Sequence, residues 1–141
     1  MRGHLGGADL AAGGLVLWTW FVWGGRIRNA LGDPESGGSA LVGTVALASS
    51  FVVLATALAV MVLRDRGRGG TGGVRGALTW VLALWTIGVW TLRVVDIAAF
   101  GGHEIGFVLV HVALAVISVA LAAWAIASMR RRRSSVSVAT G

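Results

Sequence analysis

The chain has 141 residues, of which 56% are hydrophobic and 13% charged, and its mean hydropathy is +0.81, so the composition predicts a membrane protein. It contains no cysteine and its twelve basic residues are all arginine, which excludes a disulfide framework, thiolate metal sites and a lysine-dependent phosphate loop. The net charge of +6 is carried beside long apolar segments, which favours attraction to anionic lipid headgroups over nucleic-acid binding.

Four segments are long and apolar enough to cross a hydrocarbon core about 30 Å thick, which needs about 20 residues of helix. In chain order they are residues 8–25, 40–63, 77–100 and 105–129. The second carries no charge, the third is interrupted only by Arg93 and Asp96, and the fourth contains one ionisable group, His111. Because isolated strands cannot satisfy their backbone in lipid, the spans predict an all-α, polytopic membrane protein with a four-transmembrane-helix bundle.

The connections divide the chain further. Residues 26–39 hold the only proline and end at Ser39, which could cap the second helix. Residues 64–75 form a basic, Gly-rich loop that satisfies G-x-G-x-x-G but lacks the strand which that nucleotide-binding motif requires. Residues 101–104 form a tight turn that makes the third and fourth helices antiparallel neighbours. Residues 1–129 are therefore interpreted as the transmembrane domain, and 130–141 as a basic, disordered cytoplasmic tail.

Arginine placement predicts the orientation. Nine of the twelve arginines lie on the side of the membrane that holds both termini: Arg2, Arg64, Arg66, Arg68, Arg75, Arg130, Arg131, Arg132 and Arg133. Positive charge is retained in the cytoplasm, so the sequence predicts a multi-pass protein of the plasma membrane with both termini cytoplasmic.

Three ionisable residues interrupt the third and fourth spans at a similar depth. Arg93 lies seven residues before the end of the third span, and His111 six residues after the start of the fourth, so each is about 10 Å inside the same boundary. Asp96 follows Arg93 by three residues, on the same helical face and within reach of an ion pair. Arg93, Asp96 and His111 are thus predicted to form an outward-facing polar cluster.

The mouth of this cluster is predicted to hold Arg26, His103 and Glu104. Two interpretations of the cluster remain open. In one, Arg93 extends its guanidinium to the headgroups while Asp96 neutralises it, and His111 is structural; in the other, the groups form a working site, because ionisable residues at membrane depth tend to be functional. The ligand spacing of a metal or haem site is missing, so no metal, cofactor or catalytic residue is predicted.

Two stretches carry a resemblance to a known group of proteins. They are WTWFVWGGRIRNALGDPE after the first helix and HEIGFVLVHVALAVISVALA in the fourth. With the size and the four spans, they make the chain similar to the small, uncharacterised, four-helix integral membrane proteins of high-GC actinobacteria. This resemblance implies the four-helix architecture but no activity. Small multidrug exporters share the size, but their membrane-embedded Glu in the first helix has no counterpart here, since Asp9 is interfacial.

Two functions are compatible with these features. The first is a non-catalytic membrane protein that works as a homo-oligomer or as an accessory subunit of a membrane complex. The alternative is a small transporter or channel that uses Arg93, Asp96 and His111 as a relay or anion site. An enzyme is not expected, because no nucleophile and base are paired in the sequence.

Overall fold

Four α-helices follow one another along the chain in the computed structural model, which describes residues 6–33, 37–65, 73–102 and 104–139, with side chains in the last helix up to residue 131. The helices are α1 (Gly7–Gly32), α2 (Gly38–Asp65), α3 (Gly73–Phe100) and α4 (Ile105–Ala139). The expected all-α fold is confirmed. The predicted mouth residue His103 and the G-x-G-x-x-G segment at residues 67–72 lie outside the described residues.

The helices run alternately up and down. Helix α1 packs against α2 and α4, and α3 packs against the same two helices. The turn between α3 and α4 allows their antiparallel pairing because Gly101 and Gly102 take positive φ angles of 36° and 85°, which a residue with a Cβ rarely adopts. We call the end with the α1–α2 and α3–α4 connections the hairpin end, and the end where α1 and α3 begin the termini end.

Three helix ends differ from the sequence-based prediction. Helix α1 continues past residue 25 to Gly32, so Arg26 and Arg28 lie on the helix instead of in a loop. Helix α2 begins at Gly38, which places the predicted cap Ser39 inside its first turn. Helix α4 continues to Ala139, where a disordered tail was expected from residue 130, because the polar residues after the arginines do not include a helix-breaking Pro or Gly before residue 141.

Three described helices are long and apolar enough to cross a membrane: Gly38–Asp65, Gly73–Phe100 and Ile105–Arg131. Helix α1 falls outside this group because its glycines, tryptophans, Asp9 and two arginines lower its mean hydropathy. It nevertheless contributes much of the core, with the side chains of Ala11, Ala12, Leu15 and Val16 buried against the other helices.

The core is denser in the half of the bundle near the termini end. Leu15, Leu58 and Leu82 are completely buried there, and Ala122 and Ala125 bring α4 close to them. Small side chains allow helix backbones to approach closely, which is how helices associate where lipid supplies no hydrophobic driving force. We call this part of the bundle the tight half; the helices are less densely packed in the other half, at the hairpin end.

Candidate functional site: a cavity at the hairpin end

A buried ion pair closes the termini end. The Nη2 atom of Arg75, in the first turn of α3, donates to Oδ1 of Asp9, in the first turn of α1. The second carboxylate oxygen of Asp9 accepts the backbone N–H of Gly6 at 3.0 Å. The two side chains are only 9% and 14% exposed for Arg75 and Asp9, respectively. The pair therefore joins two helices that lie diagonally across the bundle.

Arginine and tryptophan also connect α4 to α3 at this end. The guanidinium carbon of Arg130 lies 5.3 Å from the ring centroid of Trp80, in the geometry of a cation–π contact. The contact fixes one arginine of the basic segment against the bundle, so this part of α4 is not simply a free extension.

Tryptophan side chains bridge helices at the middle of the bundle. The indole N–H of Trp18 donates to Ser118 Oγ at 2.8 Å, joining α1 to α4. Trp20 donates to Thr56 at 3.2 Å, joining α1 to α2, and Trp85 donates to Ser50 at 3.2 Å, joining α3 to α2. In an apolar surrounding these bonds satisfy polar groups that would otherwise lack partners.

Aromatic rings continue from this layer toward the hairpin end. Trp23 stacks on Phe51 with 4.1 Å between centroids and 7° between planes. Trp90 lies 6.3 Å from Trp23, and Trp85 lies 6.1 Å from Phe51. We call these four residues the aromatic floor, because Trp23, Trp85 and Trp90 line the base of the cavity described next.

A cavity of about 1130 Å³ opens between the four helices at the hairpin end. Its walls come from residues 21–29 of α1, 40–47 of α2, 85–96 of α3 and 110–114 of α4. A smaller pocket of about 270 Å³ adjoins it and shares Arg26, Asn29, Ala40 and Thr44. The cavity thus ends at the aromatic floor, and the buried residues Leu15, Leu58 and Leu82 of the tight half do not line it.

The whole predicted polar cluster lies on this cavity. Arg93, Asp96 and His111 line it, together with the predicted mouth residue Arg26. Arg93 Nη1 donates to Asp96 Oδ2 at 3.1 Å, so the predicted ion pair is present, but its side chains are 38% and 48% exposed. Glu104 is exposed just before α4 and is not part of the cavity lining.

His111 lies beside the ion pair without being its partner in the described contacts. Its Nδ1 atom is 2.9 Å from the carbonyl oxygen of Phe107, one turn earlier in α4, and its ring packs against that of Phe107 at 3.9 Å. These local contacts fix the ring orientation on α4. The structure therefore brings the three groups to one cavity, with Arg93 and Asp96 paired and His111 on the facing wall.

Positive charge dominates the cavity. Arg26, Arg28 and Arg93 line it against a single carboxylate, that of Asp96, which is paired with Arg93. Among the residues that the structure describes, Arg26 and Arg28 form no ion pair. Arg28 was not among the predicted site residues, because a loop was expected after residue 25 and the continuation of α1 was not foreseen.

The buried Asp9–Arg75 pair was also missed. The two residues are 66 positions apart, so no local spacing indicates the pair. The signal that could have found the pair is the position of the two charges. Asp9 and Arg75 have opposite charges, and each lies in the first turn of a helix that begins at the termini end.

The fold and the cavity define an all-α membrane protein whose hairpin end carries a cationic, aromatic-lined cavity. No protein-family model matches the chain, and neither the curated proteins nor the solved structures contain a match.

Proposed function

We propose that this chain is a non-catalytic, four-span protein of the plasma membrane that works as a homo-oligomer or as an accessory subunit of a membrane complex. The observation that carries the proposal is the exposure of α4. Only 17% of its most apolar 18-residue window is buried within the chain, against 28% for α2 and for α3. A helix with so small a buried share has a wide surface left for another membrane helix.

The surface of α4 suits such a partner. Small residues, among them Ala115, Ala122 and Ala125, already face the bundle. The opposite side presents Leu109, Val112 and Val116. Branched and aromatic side chains on a membrane helix can pack against a second helix through van der Waals contacts. The tight half also argues against solute passage, because Leu15, Leu58 and Leu82 fill its centre.

Cysteine cross-linking tests the association, since the chain has no native cysteine to interfere. Val116→Cys on α4 should give a cross-linked product when membranes are oxidised, either a dimer of this chain or a conjugate with one defined protein. The matched control is Val53→Cys on α2, which is exposed to a similar degree, 65% against 62%, and should give none. Absence of a product from Val116→Cys, or equal yields from both positions, would contradict the proposal.

The proposed orientation places both termini and the buried Asp9–Arg75 pair at the cytoplasmic side, with the cavity facing outward. A reporter that is active only outside the cytoplasm should be silent after Gly141 and active when inserted at Gly37. The reverse pattern would refute the orientation and leave the association test unaffected.

A second candidate, a small transporter or channel, is favoured by one observation. The cavity carries Arg93, Asp96 and His111 and is open at one end and closed at the other, as expected for one state of a transporter. Purified protein in liposomes should show no saturable solute or proton flux beyond empty vesicles. Reproducible flux that His111→Ala abolishes would replace the accessory role with transport.

A further inference from the structure

We infer that the hairpin-end cavity is a binding site for an anionic phospholipid. The phosphate would lie at Arg26 and Arg28, and an acyl chain would lie along the apolar residues that line the cavity. The site is independent of the oligomeric role proposed above, because all of its lining residues come from one chain.

Size and shape favour a long ligand over an inorganic ion. Small-molecule sites usually enclose about 300–1,000 Å³, and this cavity of about 1130 Å³ lies just above that range. A phosphate ion alone would leave most of this volume unfilled. The cavity extends from the charged residues near the connection of α1 to α2 down to the aromatic floor, so it can take a head and part of a chain together.

The charge of the cavity selects an anion. Arg93 is neutralised by Asp96 at 3.1 Å, whereas Arg26 and Arg28 form no ion pair among the described residues and both line the cavity. Guanidinium groups bind phosphate through two parallel N–H···O bonds, which a zwitterionic headgroup satisfies less well because its own cation competes.

The walls of the cavity match an acyl chain. Val22, Val89, Val110 and Leu114 line it beside the aromatic rings. A soluble phosphate ester would leave these apolar walls facing water, while a lipid chain covers them. The arrangement of a few cationic groups over an apolar wall is therefore that of an amphiphile site.

Native mass spectrometry tests the assignment. Protein in detergent is mixed with equal amounts of phosphatidylglycerol and phosphatidylcholine, and the two lipid-bound populations are compared. Two variants are measured beside the unsubstituted chain, Arg26→Gln in the cavity and Arg64→Gln near the termini end as the matched exposed arginine. We expect about a five-fold preference for the anionic lipid, lost in Arg26→Gln and kept in Arg64→Gln.

Three results would overturn the inference. The first is no preference for the anionic lipid in the unsubstituted chain. The second is an equal loss of preference in both variants, which would mean attraction to basic surface in general. The third is displacement of the lipid by water-soluble glycerol phosphate, which would assign the site to a soluble phosphate ester. If Arg26→Gln fails to fold, Arg28→Gln gives the same comparison. The displacement experiment needs no variant at all, and retention of the lipid in excess glycerol phosphate supports the assignment.

Discussion

The two ends of the bundle each hold one arginine–aspartate pair, and the pairs differ in almost every physical respect. Asp9 and Arg75 join α1 to α3, are separated by 66 residues and are nearly buried. Arg93 and Asp96 lie one turn apart on α3 and are about half exposed. The first pair holds the helices together where they are tightly packed, and the second lies where they separate. An ion pair by itself therefore does not show that an end of the bundle is closed. What shows it is that the pair joins two different helices.

The largest effect is expected from breaking the buried pair. Arg75→Gln removes the cation that contacts the carboxylate of Asp9 across the bundle, and removal of one partner of a buried pair costs about 3–5 kcal/mol. Unfolding in mixed detergent with increasing dodecyl sulfate, followed by circular dichroism, measures this loss. The double variant Asp9→Asn with Arg75→Gln should recover part of it, because no uncompensated charge remains. A loss in Arg75→Gln no greater than in Arg64→Gln would show that the pair does not close this end.

An intermediate effect is expected at the middle of the bundle. Ser118→Ala removes the acceptor of the Trp18 indole and should cost about 0.6–1.7 kcal/mol, the range for hydrogen bonds between membrane helices. The same unfolding measurement applies. The control is Ser128→Ala, a half-buried serine further along α4 for which the structure gives no cross-helix bond. If both serines gave the same loss, the indole bond would contribute nothing specific.

The smallest effect is expected at the exposed pair. A double-mutant cycle with Arg93→Gln and Asp96→Asn should give a coupling energy of about 0.3–0.5 kcal/mol, because half-exposed pairs one turn apart contribute little. A coupling energy as large as that of Asp9 and Arg75 would mean that the pair at the hairpin end is shielded from solvent as well as the pair at the termini end. The contrast between the two halves would then be lost.

Local features were predictable from the sequence, and contacts distant along the chain were not. The apolar runs predicted the four helices, and the spacing of three residues between Arg93 and Asp96 predicted their ion pair. Both features were predictable because each depends on a single helix. The buried pair and the indole bonds depend on how helices rotate about their axes, which hydropathy does not specify. Trp18 and Trp85 donate hydrogen bonds across helices, which their positions in the sequence do not indicate.

The cavity was only partly predictable for the same reason. Shared depth predicted that Arg93 and His111 face one region, and both line the cavity. The contribution of α1 was underestimated, since its run of apolar residues ends at Gly25 while the helix continues to Gly32. Residues such as Arg28 and Asn29 came to the cavity through that continuation, whose end the sequence does mark, since Gly32 and Asp33 come directly before the only proline, Pro34.

Cysteine accessibility tests most directly whether the hairpin half is open and the tight half closed. Four single variants of this cysteine-free chain suffice, with Asn29→Cys and Thr44→Cys on the cavity wall and Ala55→Cys and Ala83→Cys in the buried core. A membrane-impermeant thiol reagent should modify the first two in folded protein and should modify the last two only after unfolding in dodecyl sulfate. Equal modification of all four positions in the folded protein would contradict a bundle that is closed at one end and open at the other.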